Sequence, residues 1–164
     1  MMAWTNGFNS VVSYNKTLDV PALASTPVDI GNGFQQLHAS PSDFVIKATL
    51  TDSTGNAITP VAILHPDKFY GLKNFGNVSL KTLKKVDDLT FEFTVTSTSI
   101  APFVWVDLTA EFKKNNTALF RFSDNAFTAT QPETVVQVKF VTKPEKEPTL
   151  SDLKACHVLN CFRE

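Results

Sequence analysis

The feature that most constrains this 164-residue chain is a hydrophobic period of two. In LTFEFTV (89–95), Leu89, Phe91, Phe93 and Val95 alternate with Thr90, Glu92 and Thr94. In VVQVKFV (135–141), Val136, Val138 and Phe140 alternate with Gln137 and Lys139, and in FVIKATL (44–50), Phe44, Ile46, Ala48 and Leu50 alternate with Val45, Lys47 and Thr49. Successive side chains of an extended strand point to opposite faces, so each segment predicts a half-buried strand of an antiparallel sheet. Turn-forming stretches fall between the apolar runs: DSTGN (52–56), HPD (65–67), FGN (75–77), Asp87-Asp88, KKNN (113–116) and TQPE (130–133). Short strands punctuated in this way predict an all-β fold, an antiparallel sandwich with Greek-key connections.

The most informative strand is IAPFVWVDLTAEF (100–112). Val104, Val106 and Leu108 lie on one face, and Phe103, Trp105 and Asp107 on the other. The aliphatic face belongs in the core. The aromatic face is open to two readings: Trp105 as an inner anchor, common in sandwiches, or Phe103 and Trp105 as an outer patch that another domain or a sugar covers. No segment before residue 149 shows a persuasive helical face. KPEKEP (143–148) reads as an exposed linker, and TLSDLKACHVLNCFRE (149–164) as a short helix capped by Thr149 or Ser151, or as a final extended arm. The boundaries that follow are a leader over 1–9, a sandwich over 10–142, and a linker with a C-terminal tail over 143–164.

Charge and composition remove several functions. With 15 basic and 16 acidic residues the net charge is -1, without the basic footprint that nucleic acid requires. No apolar run is long enough for a bilayer, so no membrane partner is expected. The opening MMAWTNGFNS has neither a basic nor an apolar region of a secretory signal, and no signal peptide is expected. Cys156 and Cys161 stand close together near the end, so the fold does not depend on a disulfide framework. They are either a local bridge or two free thiols.

The motif RFSDNAF (121–127) raises the question of catalysis. A Ser-His-Asp set is formally available from Ser123, His38 or His65, and Asp124. Yet there is no nucleophile-elbow context, and neighbours on a strand point apart. A glycosidase needs two carboxyls held close, one of them in an apolar setting. Glu92 lies among threonines, Asp87 and Asp88 share a turn, and Glu133 follows Pro132. The reading is therefore structural: Asp124 and Asn125 bond neighbouring backbone amides at a corner that Phe122 and Phe127 pin to the core. No catalytic residue is expected. His38, His65 and His157 are dispersed, and no glycine-rich phosphate loop occurs, so no metal or cofactor is expected. Sequons at Asn15, Asn77 and Asn115 are weak glycosylation signals, because about two would arise by chance in a chain this rich in Asn, Ser and Thr.

FEFTVTSTSIAPFVWVDL (91–108) and RFSDNAFTATQPETVVQVKF (121–140) resemble the C-terminal immunoglobulin-like domain of animal β-mannosidases. The shared pattern is the strand Ala101–Trp105, the corner Phe122–Asn125 and the last alternating strand Val135–Phe140. The likeness extends over 10–142, and it implies an extended arm after residue 149. The family consists of glycoside hydrolase family 2 enzymes, retaining hydrolases that remove terminal β-D-mannose. Their catalytic glutamates lie in a (β/α)₈ barrel, of which this sequence shows no trace. The resemblance thus implies a non-catalytic domain, with the enzyme's other domains as partners and Phe103 and Trp105 as a docking patch. It also implies a lysosomal or secreted glycoprotein as parent. The alternative is a stand-alone carbohydrate-binding module that holds an oligosaccharide on Trp4, Phe69, Tyr70 or Trp105.

Overall fold

The computed structural model of the chain describes residues 1–3, 7–29, 40–68 and 75–161. The backbone divides into two units, Met1–Lys73 and Asn74–Glu164. In the first, β1 (Met2–Ala3), β2 (Phe44–Ala48) and β3 (Ala62–Leu64) form an antiparallel sheet in that order. Met2 lies opposite Val45, and Ile46 opposite Leu64. Residues 1–9 are therefore no separate leader, since β1 is a strand of this sheet. Asp52 organises the turn after β2: its Oδ1 accepts from the Thr54 hydroxyl at 2.7 Å and from the Thr54 and Asn56 amides, both at 2.9 Å. The Thr54 hydroxyl first, and then the Asn56 amide, hold that carboxyl below its ordinary value. The alternation expected to bury Phe44, Ile46, Ala48 and Leu50 together is only half realised. Phe44 is buried, but Ala48 and Leu50 are exposed.

The second unit is the sandwich. Its larger sheet has the order β4-β5-β9-β7, made of Val78–Lys85, Thr90–Ser97, Glu133–Phe140 and Phe120–Phe122. The smaller has the order β10-β6-β8, made of Leu153–Cys156, Ala101–Leu108 and Phe127–Ala129. After the β4–β5 hairpin every connection crosses between sheets. Both sheets contribute to one core: Phe91, Phe93 and Val95 of β5 and Val136, Val138 and Phe140 of β9, with Val104, Val106 and Leu108 of β6 and Leu153 of β10. The alternating residues of 89–95 and 135–141 point inward as the period of two requires. Aromatic edges fill the layer, with Phe91 against Phe140 and Phe93 against Phe122, both pairs near perpendicular.

Three readings of the sequence need correction. The strand from residue 100 stops at Leu108, and α1 (Ala110–Lys114) follows. The Thr109 side chain accepts from the Phe112 amide at 3.3 Å, while Glu111 at the start and Lys113 and Lys114 at the end suit the helix dipole. Secondly, 143–148 is not an exposed linker. Pro144 and Pro148 are buried, Glu145 accepts from the Thr117 amide at 3.1 Å, and Glu147 pairs with Lys85 at 2.8 Å. Thirdly, 149–164 is no appended tail, because Leu153–Cys156 is an edge strand whose Leu153 lies in the core. The sandwich strands thus run from Val78 to Cys156 rather than over 10–142.

Candidate functional site

The outer face of the smaller sheet is set by one extra residue. On β6, Ala101 lies opposite Ala129 and Val104 opposite Phe127. Three steps on β6 therefore match two on β8, a β-bulge. Phe103 takes up the surplus with a left-handed φ of 48°. Such backbone costs a side chain bearing a Cβ about 1–2 kcal/mol. The bulge allows Ala101 and Val104 both to face inward, which a regular strand forbids. As a result Phe103 and Trp105 face out, 41% and 48% exposed, while Val104 and Val106 are fully buried.

The corner read from the sequence locks this arrangement. The Asn125 Oδ1 accepts from the Val106 amide at 2.9 Å, and its Nδ2 donates to the Val106 carbonyl at 2.9 Å. The carboxamide thus supplies a side-chain rung to the β6–β8 ladder beyond the Val104–Phe127 pair. On the other side of the corner, Ser123 donates its amide to the Gln137 carbonyl at 2.8 Å, and its Oγ accepts from the Gln137 amide at 2.9 Å. Asp124 accepts from the Asn125 amide at 2.8 Å, within the corner. Ala126, at φ 56°, completes the reversal between the sheets. Ser123 and Asn125 thus tie the corner to the two sheets, and Asp124 bonds within it.

β10 adds the second wall. Cys156 pairs with Trp105 and Lys154 with Asp107, so both side chains share the aromatic face. Cys156 and Cys161 are joined by a disulfide that closes the turn 157–161. In that turn the His157 amide donates to Asn160 Oδ1 at 2.6 Å, and its Nδ1 accepts from the Leu159 amide at 3.2 Å. The buried imidazole meets Phe75 edge-on, and burial pushes its pKa below the ordinary value. A hollow of about 370 Å³ results, lined by Phe103, Trp105, Ala126, Lys154, Cys156, Val158 and Cys161. It is an apolar surface of two rings and a disulfide, with one ammonium among its lining residues.

Other candidate residues do not join it. Asn15, Asn77 and Asn115 are each exposed, Asn77 just before β4 and Asn115 at the end of α1. Trp4, His38, Phe69 and Tyr70 lie outside the described residues. The acids considered for catalysis are tied to neighbours in place. Lys84 and Gln137 bond to Glu92 and, in that order, lower its pKa, and Glu133 pairs with Lys81 at 2.8 Å. Among the described residues, no group of three or more His, Cys, Asp or Glu could hold a metal ion. No helix there is long and apolar enough to cross a membrane. Sequence reasoning missed the contribution of β10 and the 157–161 turn. The pairing of β10 with β6 is non-local, and no local pattern announces it.

A family model for the mannosidase Ig-fold domain matches residues 76–161, closely the extent of the second unit. The chain is also 28% identical over 165 aligned positions to a probable beta-mannosidase of Caenorhabditis elegans, an alignment covering 99% of this chain and 17% of that protein. The chain therefore spans less than a fifth of that relative's length. On a sandwich whose strands fill the matched range, these likenesses agree with the fold: the chain belongs to the family of mannosidase Ig-fold domains.

Proposed function

We propose that this chain is a non-catalytic part of a β-mannosidase, the C-terminal Ig-like domain with the segment before it, and that Phe103 and Trp105 dock the domain onto the rest of the enzyme. The parent would be a retaining glycoside hydrolase of family 2 that removes terminal β-D-mannose from oligosaccharides. Its catalytic barrel lies outside this chain. Lysosomal or secreted residence, with N-glycans at Asn15, Asn77 and Asn115, belongs to the same reading.

The observation that carries the docking role is the outward aromatic pair. Two large rings on a sheet face, raised by a bulge with left-handed backbone, are costly for an isolated domain. Placed between domains they bury apolar area worth about 25 cal/mol per Å². The similarity to a much longer beta-mannosidase supports a partner in the same polypeptide.

The test begins with size. An antibody raised against residues 91–140 should detect in native extracts a product far larger than 164 residues. The purified 164-residue chain should not turn over an aryl β-mannoside. A native product of 164 residues, or turnover by the chain, would overturn the proposal. Saturable fluorescence changes with manno-oligosaccharides, lost in Trp105→Ala, would replace docking with sugar binding.

A further inference from the structure

The outer face of the larger sheet carries a hollow that the docking role does not use. It has a volume of about 410 Å³ and is lined by Arg121, Phe122, Ser123, Gln137 and Lys139. Phe120 and Phe122 of β7 and Val138 and Phe140 of β9 pack on the core, so the alternate residues Arg121 and Lys139 turn outward and are exposed. The register sets Arg121 directly opposite Lys139. Opposite positions on antiparallel strands hold their Cβ atoms about 4.5–5.5 Å apart, and like charges there repel. Among the described residues neither side chain forms an ion pair or a hydrogen bond. Asp87 feels the charge of Lys139 only through space: its carboxylate accepts from the Leu89 amide at 2.8 Å, the chief cause of its lowered pKa. The neighbouring rung shows what is missing. There Glu92 lies opposite both Lys84 and Gln137, pairs with the Lys84 ammonium at 2.7 Å and accepts from Gln137 Nε2 at 3.0 Å. On the rung of Lys139 the β5 residue is Thr90, which is buried and carries no charge.

From this convergence we infer that the hollow is an anion site, and that the group it takes is a dianionic phosphate, free or as a monoester. Three kinds of donor meet there. Arg121 offers a planar fork that matches two oxygens of one group, and Lys139 a point charge with three donors. Ser123 Oγ accepts from the Gln137 amide at 2.9 Å, which leaves its hydroxyl hydrogen to donate into the hollow. The Gln137 carboxamide is engaged with Glu92 and lines the site without supplying a charge. Geometry and charge together select the ligand. A phosphate monoester has three terminal oxygens and a charge of about −1.5 to −2 at neutral pH, which answers two cations and a hydroxyl. A carboxylate has two oxygens and one charge, and would leave one cation unmatched. Both cations are in water, so the expected affinity is millimolar. The site lies on the sheet opposite to Phe103 and Trp105, and it stands or falls independently of their docking role.

The test is an NMR titration of the 164-residue chain with inorganic phosphate, phenyl phosphate and acetate, at neutral pH and matched ionic strength. The backbone amides of Arg121, Ser123 and Lys139 should shift saturably with phosphate and hardly at all with acetate. Arg121→Gln and Lys139→Thr should each weaken phosphate binding about tenfold or more, the loss of a charge-assisted contact. Lys84→Gln is the control: its ammonium belongs to Glu92, so binding should stay within about twofold. Phenyl phosphate bound as tightly as inorganic phosphate assigns an ester as the ligand, and its exclusion assigns the free ion. Absence of saturable shifts overturns the inference. Acetate bound as tightly as phosphate also overturns it, and so does an equal loss in Lys84→Gln, which would make the effect one of general positive charge. Should a variant not fold, the comparison of phosphate with acetate on the unsubstituted chain decides.

Discussion

Asn125 shows how a motif that raises the question of catalysis can be structural. Its carboxamide both donates to and accepts from the Val106 backbone, so one side chain extends the sheet beyond its last main-chain pair, Val104 with Phe127. Asn125→Ala leaves the Val106 amide and carbonyl without these partners, and should cost about 1–3 kcal/mol in denaturant unfolding. Asp124→Ala removes one exposed local bond and should stay within about 0.5 kcal/mol. Equal losses from the two substitutions would show that the corner is not held by the Asn125 rung. That Ser123, Asp124 and Asn125 make a corner was legible in the sequence, since Asp and Asn between aromatic strand residues favour local backbone bonding. That Asn125 reaches Val106 was not, because the contact spans 19 residues and depends on the sheet partner.

At the scale of the strand, Phe103 is decisive. Its left-handed φ suits glycine, and its ring is 41% exposed. Phe103→Gly should therefore leave the isolated chain as stable or up to about 1 kcal/mol more stable, by relief of backbone strain. In contrast Phe93→Ala, in the core of the same unit, should cost about 3–5 kcal/mol. Thermal or urea unfolding of the two variants checks both, and a large loss in Phe103→Gly would mean that the ring supports the fold. Strands β5 and β9 were legible because each has one face on the core, which writes the period of two plainly. Strand β6 was legible in its register but left two readings of its aromatic face, as the bulge that decides between them has no sequence signature of its own. The α1 helix was missed although Thr109, Glu111 and Lys113-Lys114 signal it, because one turn is too short to show a period. In β2 the alternation was plain, yet Ala48 and Leu50 are exposed.

For the whole molecule, acid is the informative variable. His157 is buried, and its depressed pKa means that the folded chain resists a proton which the unfolded chain accepts below its ordinary value of 6.5. Its contribution to stability is thus fully present above that value and declines as pH falls from 6.5 toward the lower folded value. Protonation would also turn the Nδ1 that accepts from the Leu159 amide into a donor. Asp152 acts further down. Burial raises its pKa, but bonds from Thr149 and Lys146 outweigh this and hold it below the ordinary 3.8, so its contribution is lost only as pH falls below that range. Melting temperature followed from pH 7.5 downward should begin to fall near pH 6.5. His157→Gln should make that first part of the curve shallower, leaving the share of His65, whose pKa burial also lowers, and the deeper acid limb. An unchanged profile in the variant would remove His157 from the account.

The bulge in β6 also sets a parity. Along a strand, inward and outward positions behave as even and odd numbers, and one surplus residue between Ala101 and Val104 exchanges them. Deleting that surplus residue would leave two steps on β6 against two on β8, a regular ladder in which Ala101 and Val104 still face inward and Trp105 outward. The same deletion beyond Val104, where no residue is surplus, would exchange the two faces of the rest of β6, so the identity of the exposed face depends on where a residue is lost as much as on composition.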